Sequence, residues 1–225
     1  MQEHTGTPSC PLCHGTKTTP YHRDKVRDYV SCRTCKLVFV PPAQHLSVDD
    51  EKAYYDLHDN QPDDPGYRRF LERLFTPLNQ RLTASSRGLD FGCGPRPTLS
   101  LMFEEAGHSV ALYDPYYAPD RSVLSGLSEP YDFITLSEVA EHLAEPGLEL
   151  DRLWTSLAPG GWLGLMTKRV RDPEAFKTWH YITDPTHIGF FSDATFHWLT
   201  GRWALMGTPA TLVIAGDDVV LVEKA

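Results

Sequence analysis

Apolar residues recur along this chain in two rhythms: short unbroken runs and helical spacings. Runs fit for buried strands lie at residues 89–91, 109–114, 131–136 and 162–166. Helical spacing links Phe70, Leu71, Leu74, Phe75 and Leu78 in a helix expected from Tyr67. It links Leu99, Leu101, Met102, Phe103 and Ala106 in a second helix closed by Gly107. Leu148, Leu150, Leu153, Trp154 and Leu157 form a third set, followed by a turn at Pro159-Gly160-Gly161. Ser192-Asp193 starts a helix with Phe196, Leu199 and Trp198 on its apolar side. Strands thus alternate with helices, and residues 85–225 read as an α/β domain. The tail, residues 210–223, reads as two strands joined at Gly216-Asp217, an antiparallel hairpin. Residues 43–84 read as a helical region packed on that core, with Ser47-Val48-Asp49-Asp50-Glu51 as a helix start. Tyr54, Tyr55 and His58 fall near one face of that helix.

Size and charge narrow the class. The chain has 225 residues, 41% hydrophobic and 23% charged. That suits one core of roughly 150 residues plus a small appendage. No apolar run reaches about 18 residues, so no membrane span or membrane partner is expected. The polar start, Met1 to Thr5, lacks the features of a secretory signal, and a cytoplasmic location is expected. The net charge of −9 is unevenly placed. Residues 1–45 hold six Lys/Arg against three Asp/Glu, and the rest fifteen against twenty-seven. Only the N-terminal piece could supply the basic face that nucleic acid requires.

That piece, residues 1–42, also carries four of the five cysteines. Cys10-Pro-Leu-Cys13 and Cys32-Arg-Thr-Cys35 lie eighteen residues apart, the spacing of a zinc site built from two knuckles. Four thiolates in a tetrahedron suit Zn²⁺ and leave no open position, so a structural zinc ribbon of two or three short strands is expected. Two disulfides or a redox pair are the competing readings. Arg23, Lys25, Arg27, Arg33 and Lys36 could in addition dock RNA or a protein.

The chemistry gathers around residues 88–95. A buried strand ends at Asp90-Phe91 and enters the turn Gly92-Cys93-Gly94-Pro95 before a helix. Glycine there permits a sharp turn with no Cβ between backbone and ligand, and the helix start offers free N–H groups. About twenty residues on, Asp114 ends the next strand, where mononucleotide folds place a carboxylate for ribose hydroxyls. Pro97 stands where a dinucleotide fingerprint needs its third small residue, which disfavours NAD and FAD.

Four segments in order, 89–94, 113–114, 131–143 and 157–163, resemble class I S-adenosylmethionine (SAM)-dependent methyltransferases. The resemblance implies a Rossmann-like, doubly wound, mostly parallel sheet whose glycine loop wraps the methionine part of SAM. It implies that Asp90 organises this loop with Gly92, Cys93 and Gly94, that Asp114 with Pro115 lies at the ribose, and that Ser137, Glu138 and His142 lie beside cofactor and substrate. Arg96 stands where the family has its third glycine. A third strand is signalled only by Ser122-Val123-Leu124. Residues 138–143 also read as a helix start whose carboxylates suit the dipole, leaving Glu138 with two readings.

Residues 180–191, which follow a strand end, are similar to a segment that closes the active site in some small methyltransferases. His180, Asp184 and His187 could deprotonate an acceptor, bind a second metal, or hydrogen-bond an ordered loop. Tyr54, Tyr55, Phe190 and Phe191 could build an apolar acceptor pocket. The expectation is a SAM-dependent methyltransferase for a small molecule. An RNA or protein methyltransferase docking through the ribbon, and a non-catalytic SAM-binding module, are the alternatives.

Overall fold

A computed structural model describes residues 8–57, 61–125 and 129–225. His58 lies outside the described residues. Two sheets carry the architecture. The larger has six strands in the order β5-β4-β6-β7-β10-β9. It comprises β4 (Arg87–Phe91), β5 (Ser109–Tyr113), β6 (Tyr131–Ser137), β7 (Leu157–Met166), β9 (Ala210–Ala215) and β10 (Val219–Lys224). Strands β5, β4, β6 and β7 are parallel neighbours, and β10 runs antiparallel to both β7 and β9. The terminal hairpin therefore closes the sheet as the two strands read around Gly216-Asp217 predict.

Both faces of this sheet are covered. Along β10, Val219 and Leu221 join one buried cluster while Val220 and Val222 join another, as a two-residue repeat requires. One cluster takes Leu71, Leu74 and Leu78 of α2 (Pro65–Asn79), with Leu99, Met102 and Phe103 of α3 (Thr98–Glu105). The other takes Leu150, Leu153 and Trp154 of α4 (Pro146–Ser156), with Phe196, Leu199 and Trp203 of α6 (Asp193–Leu205). Trp154 and Trp203 stack with centroids 4.2 Å apart. Among the described residues, no helix is long and apolar enough to cross a membrane.

Three local expectations are corrected. Ser122-Val123-Leu124 lies in a 3₁₀ turn, Arg121–Ser125, and β5 is an edge strand of the six-stranded sheet. Pro115, Pro119 and Pro130 crowd this short connection and leave little backbone for a ladder. The helix expected at residues 138–143 is a single 3₁₀ turn, Ala140–His142, and α4 begins only at Pro146, whose fixed φ suits a first helical position. Helix α2 begins at Pro65, two residues before the expected Tyr67, because the Asp64 side chain accepts from the Gly66 N–H.

The second sheet has the order β1-β2-β3-β8. Its first three strands, β1 (Thr18–Arg23), β2 (Asp28–Cys32) and β3 (Val38–Phe39), come from the cysteine-bearing N-terminal piece. The fourth, β8 (Gly189–Phe190), comes from the segment after β7. Phe190 is consequently fully buried, in one cluster with Tyr29, Val38 and Phe176 of α5 (Pro173–Lys177). The N-terminal piece also packs on the larger sheet's helices. Cys10, Leu12, Cys32 and Cys35 belong to the same buried cluster as α4 and α6. The Gly147 N–H of α4 donates to Pro11 O at 3.3 Å.

The tightest link is Arg27, only 6% exposed. Its Nη1 donates to the carbonyls of Pro185 and His187, both at 3.0 Å. Its Nη2 donates to those of Ile182 at 2.7 Å and Asp184 at 2.9 Å. One planar fork thus holds the backbone of residues 182–187. Arg27 is committed to this loop and is not part of any RNA-docking face, which corrects its place in the basic set.

Two outcomes follow for stability. A Cβ on Gly147 would fall 2.3 Å from Leu12 O, so Gly147→Ala should cost about 1–3 kcal/mol by urea denaturation, because two backbones must separate. Arg27→Met should cost about 3 kcal/mol or more by the same measurement, since it strands buried carbonyls. Arg27→Lys should recover only part of that loss, because an ammonium cannot span the fork.

Candidate active site

The carboxyl ends of β4, β5 and β6 open into one cavity of about 980 Å³, where open α/β sheets bind their ligands. The glycine loop forms one wall. Gly92 and Cys93 donate their N–H groups to Tyr113 O at 2.7 and 3.2 Å, which ties the loop to the end of β5. Gly92 has φ +79° and Gly94 φ +66°, a region that favours glycine. A Cβ on Gly92 would lie 2.4 Å from a Val139 methyl, whereas one on Gly94 would meet no atom within 4 Å. The loop is therefore packed on one side and open to the cavity on the other.

Asp114 stands beside this loop, nearly buried. Its Oδ2 accepts from the Gly94 N–H at 3.0 Å, and its Oδ1 from the N–H groups of Tyr116 and Tyr117 at 2.8 and 3.0 Å. An ionised carboxylate has about four acceptor positions, so these three bonds leave room for one more. Asp90 does not line the cavity. It lies beneath the loop, accepting from Ser100 Oγ and Thr135 Oγ1, each at 2.7 Å, and joins β4 to α3 and β6. Burial raises its carboxyl above the ordinary range, and the two hydroxyls oppose that rise.

Helix α1 (Val48–Tyr55) covers one side of the cavity. Ser47 caps it by accepting from the Asp50 N–H. It is pinned by Tyr116 Oη, which donates to Glu51, and Tyr117 Oη, which donates to Asp56, both at 2.6 Å. Tyr54 and Tyr55 line the cavity, and the Tyr55 ring meets His142 edge-on at 5.4 Å. Phe190 and Phe191 do not line it. Both are fully buried in the cores, which corrects their expected place in an acceptor pocket. Tyr67 and Phe70 of α2 line the cavity.

Ser137, Glu138, His142, Pro115, Cys93 and Arg96 all line the cavity. The Arg96 side chain is exposed at the rim. Glu138 adopts φ +53°, with its N–H bonded to Met166 O at 2.8 Å. It is not a helix-start acid, and its backbone turn sits at the end of β6. Burial first, then the Glu141 and Asp218 carboxylates, push its carboxyl up to about 8, against the opposing pull of Lys168 and Arg73.

The three residues of the closing segment are placed differently from one another. His187 is nearly buried, and its Nδ1 lies 2.8 Å from Tyr181 O. Asp184 Oδ2 is 3.8 Å from His187 Nε2, while Asp184 Oδ1 accepts from the N–H and hydroxyl of Thr186. Burial, then the neighbouring His142, lower the His187 pKa, so its imidazole is neutral near pH 7. His180 is exposed, with Nε2 2.7 Å from Lys168 Nζ. His180, Asp184 and His187 do not gather as one metal-ligating group among the described residues. Glu141, which sequence reasoning passed over as one acid of a helix start, is fully buried below His142 and His187 and accepts from the Tyr181 hydroxyl.

In the N-terminal piece, the Sγ atoms of Cys10, Cys13, Cys32 and Cys35 lie within 4.8 Å of one another. Cys10–Cys35 and Cys13–Cys32 are each 3.4 Å apart. A tetrahedron with Zn–S near 2.3 Å has S···S edges of about 3.8 Å, so the set fits the ion with small adjustments.

The fold is similar to that of solved methyltransferase structures. An O-methyltransferase family protein from Burkholderia thailandensis is 12% identical with a TM-score of 0.54, the match covering 77% of this chain and 59% of that one. The chain thus spans less than two thirds of that relative's length. A chain in the complex between the Haloferax volcanii Trm112 methyltransferase activator and a methyltransferase is 11% identical with a TM-score of 0.51, covering 80% of this chain and 99% of that one. The 1,6-didemethyltoxoflavin-N1-methyltransferase of Burkholderia thailandensis, with 1,6-didemethyltoxoflavin and S-adenosylhomocysteine bound, is 15% identical with a TM-score of 0.47, over 91% of this chain and 97% of that one. No curated protein sequence matches the chain. The family profile described as a methyltransferase domain matches residues 62–202, and the chain belongs to that family of methyltransferase domains.

Proposed function

We propose that this methyltransferase takes its methyl group from SAM and delivers it to a small acceptor that carries no phosphate. The observation that supports this most is the charge of the cavity. Its lining includes Glu51, Asp114, Glu145, Glu149 and Asp184 against the cations Arg96 and Lys168. Such a wall suits a ligand bearing a sulfonium and an ammonium and disfavours a polyanion. When bound, SAM supplies an electrophilic sulfonium methyl.

The chain's own residues then bind and orient. The Gly92–Gly94 backbone gives close approach, Asp114 offers its remaining acceptor position to a ribose hydroxyl, and Asp90 holds the loop from below. Pro115, Cys93, Ser137, Glu138 and His142 complete the wall on this reading. The acceptor lies between α1 and the residues 180–187 segment, among Tyr54, Tyr55, Tyr67 and Phe70. His187 Nε2 faces it as the base. Its Nδ1–H is spent on Tyr181 O, so the Nε2 lone pair takes the acceptor's proton, and Asp184 steadies the resulting cation. His180 lies further out and serves the rim. Positioning supplies most of the rate.

In this reading the four cysteines hold Zn²⁺ as a closed structural site. The ion fixes the knuckles around β2 and β3, and so the strand pairing with β8 and the Arg27 fork behind the acceptor segment. Arg27 is buried and lost to the basic set, which keeps the exposed Arg23, Lys25, Arg33 and Lys36.

Calorimetry with S-adenosylhomocysteine tests the assignment. The wild type should bind it, and Asp114→Asn should weaken binding at least about tenfold, the worth of one charge-assisted hydrogen bond. No binding by the wild type overturns the cofactor reading. Glu138 gives a pH signature. Its carboxyl titrates at about 8 in the fold and near 4.3 unfolded, so the folded chain retains a proton that the unfolded chain has lost. Its contribution therefore makes stability fall as pH rises from about 5 to about 8. Urea unfolding of Glu138→Gln over this range should lose that slope, gaining stability relative to wild type as pH increases.

A further inference from the structure

Below the acceptor end of the cavity lies a group that the proposed transfer leaves partly unexplained. Glu141 is fully buried, a costly place for a carboxylate. One oxygen, Oε1, accepts from the Tyr181 hydroxyl. The other, Oε2, is buried and has no hydrogen-bond partner among the described residues. One ligand atom from each of Glu141, His142 and His187 lies within 4.8 Å of the others. The two imidazole rings are 4.7 Å apart, centre to centre.

The hydrogen bonds of these imidazoles fit metal ligation. His142 Nδ1 lies 3.1 Å from Thr186 O, and His187 Nδ1 lies 2.8 Å from Tyr181 O. A carbonyl can only accept, so each Nδ1 carries the proton and each Nε2 the lone pair. Backbone carbonyls bonded in this way hold a ring in the orientation and tautomer that ligation needs. These carbonyls are themselves held. Arg27 binds those of residues 182, 184, 185 and 187, in the same loop. The Ile188 N–H ties that loop to Glu141 O at 2.8 Å.

We propose that Glu141, His142 and His187 bind a divalent transition-metal ion at the floor of the cavity. Two imidazoles and one carboxylate suit zinc, iron, cobalt or nickel better than magnesium or calcium, which prefer oxygen. A cation there would also supply the partner that Glu141 Oε2 lacks. His142 and His187 line the cavity while Glu141 sits behind them, so the three bind from one side and the remaining coordination positions face the acceptor. In that place, and resting on the methyltransferase reading, the ion holds an acceptor oxygen and favours its ionised form, the proton leaving to solvent. It then replaces His187 as the group that activates the acceptor, because one lone pair cannot serve both.

The full chain, with its cysteine site loaded with zinc and excess metal removed, is titrated with Co²⁺ by calorimetry while absorption spectra are recorded. One equivalent should bind, with the weak bands of nitrogen and oxygen ligation and no thiolate charge-transfer band. Glu141→Gln and His142→Gln should each lower the affinity at least tenfold. Absence of binding by the wild type, equal binding by both variants, or an equivalent that shows only the thiolate band overturns the site. Should Glu141→Gln fail to fold, His142→Gln decides alone, since its side chain reaches the cavity. S-adenosylhomocysteine binding on the same samples keeps the two readings apart. Its loss with Co²⁺ binding intact sinks the cofactor assignment and leaves the metal site, and the reverse outcome sinks only the metal site.

Discussion

One buried guanidinium sets the relation between the two ends of this chain. The Arg27 side chain lies inside the protein with its donors spent on four carbonyls of residues 182–187. An arginine is enclosed at a large desolvation cost, which is recovered only when the fork is fully bonded. The loop in turn has irregular backbone whose carbonyls could not stay buried unpaired. Each requires the other, so neither the N-terminal hairpin nor the closing segment is organised alone. The β3–β8 pairing and the burial of Phe190 between them extend the same dependence through the apolar core. The cysteine-bearing piece therefore bears on the site through the backbone behind it, although the four Cys lie away from the cavity lining.

What the sequence made legible follows from how local each signal is. The Gly92 and Gly94 turns, the Asp114 strand end, the hairpin turn at Gly216-Asp217 and the helical spacing in α2 and α4 are written in neighbouring residues. All of them appear in the structure. The Cys spacing is local in the same sense, and the four sulfurs do converge. The misreadings involve residues whose partners are distant in sequence. Phe190 and Phe191 resemble a pocket wall until the pairing of β8 with β3, about 150 positions earlier, turns Phe190 inward. Arg27 resembles a surface cation because nothing near it in sequence shows the carbonyls it meets. Glu141 resembles a helix-start acid because its neighbours Tyr181 and His187 arrive from another segment.

Glu138 and residues 140–142 show why the end of β6 departs from its local pattern. The sequence there favours a helix start, with acids where the dipole is positive. The chain instead takes a left-handed residue at Glu138 and a single 3₁₀ turn before α4. A left-handed non-glycine residue costs energy, and such strain persists only where its surroundings enforce it. Here the Glu138 N–H to Met166 O bond and Val139 packed against Gly92 hold the turn. The result is that Ser137, Glu138 and His142 all face one cavity.

The same turn creates an electrostatic conflict. It brings Glu138 and Glu141 close enough for each other's charge to matter, and both are raised chiefly by burial. Two carboxyls in poor solvent contact cannot both ionise cheaply near neutral pH without a cation beside them. Lys168 and Arg73 pull on the Glu138 side of this balance. Glu141 has the Tyr181 and Thr167 hydroxyls and the His187 imidazole beside it. Within the fold, then, Glu141 is relieved either by retaining a proton or by gaining a positive charge between it and the two imidazoles. The first relief places the proton on Oε1, given to the Tyr181 oxygen, whose own hydrogen then turns to Thr167 Oγ1. The second relief is the one that the proposed site supplies, a positive charge between the Glu141 carboxylate and the two imidazoles whose ligand atoms gather there.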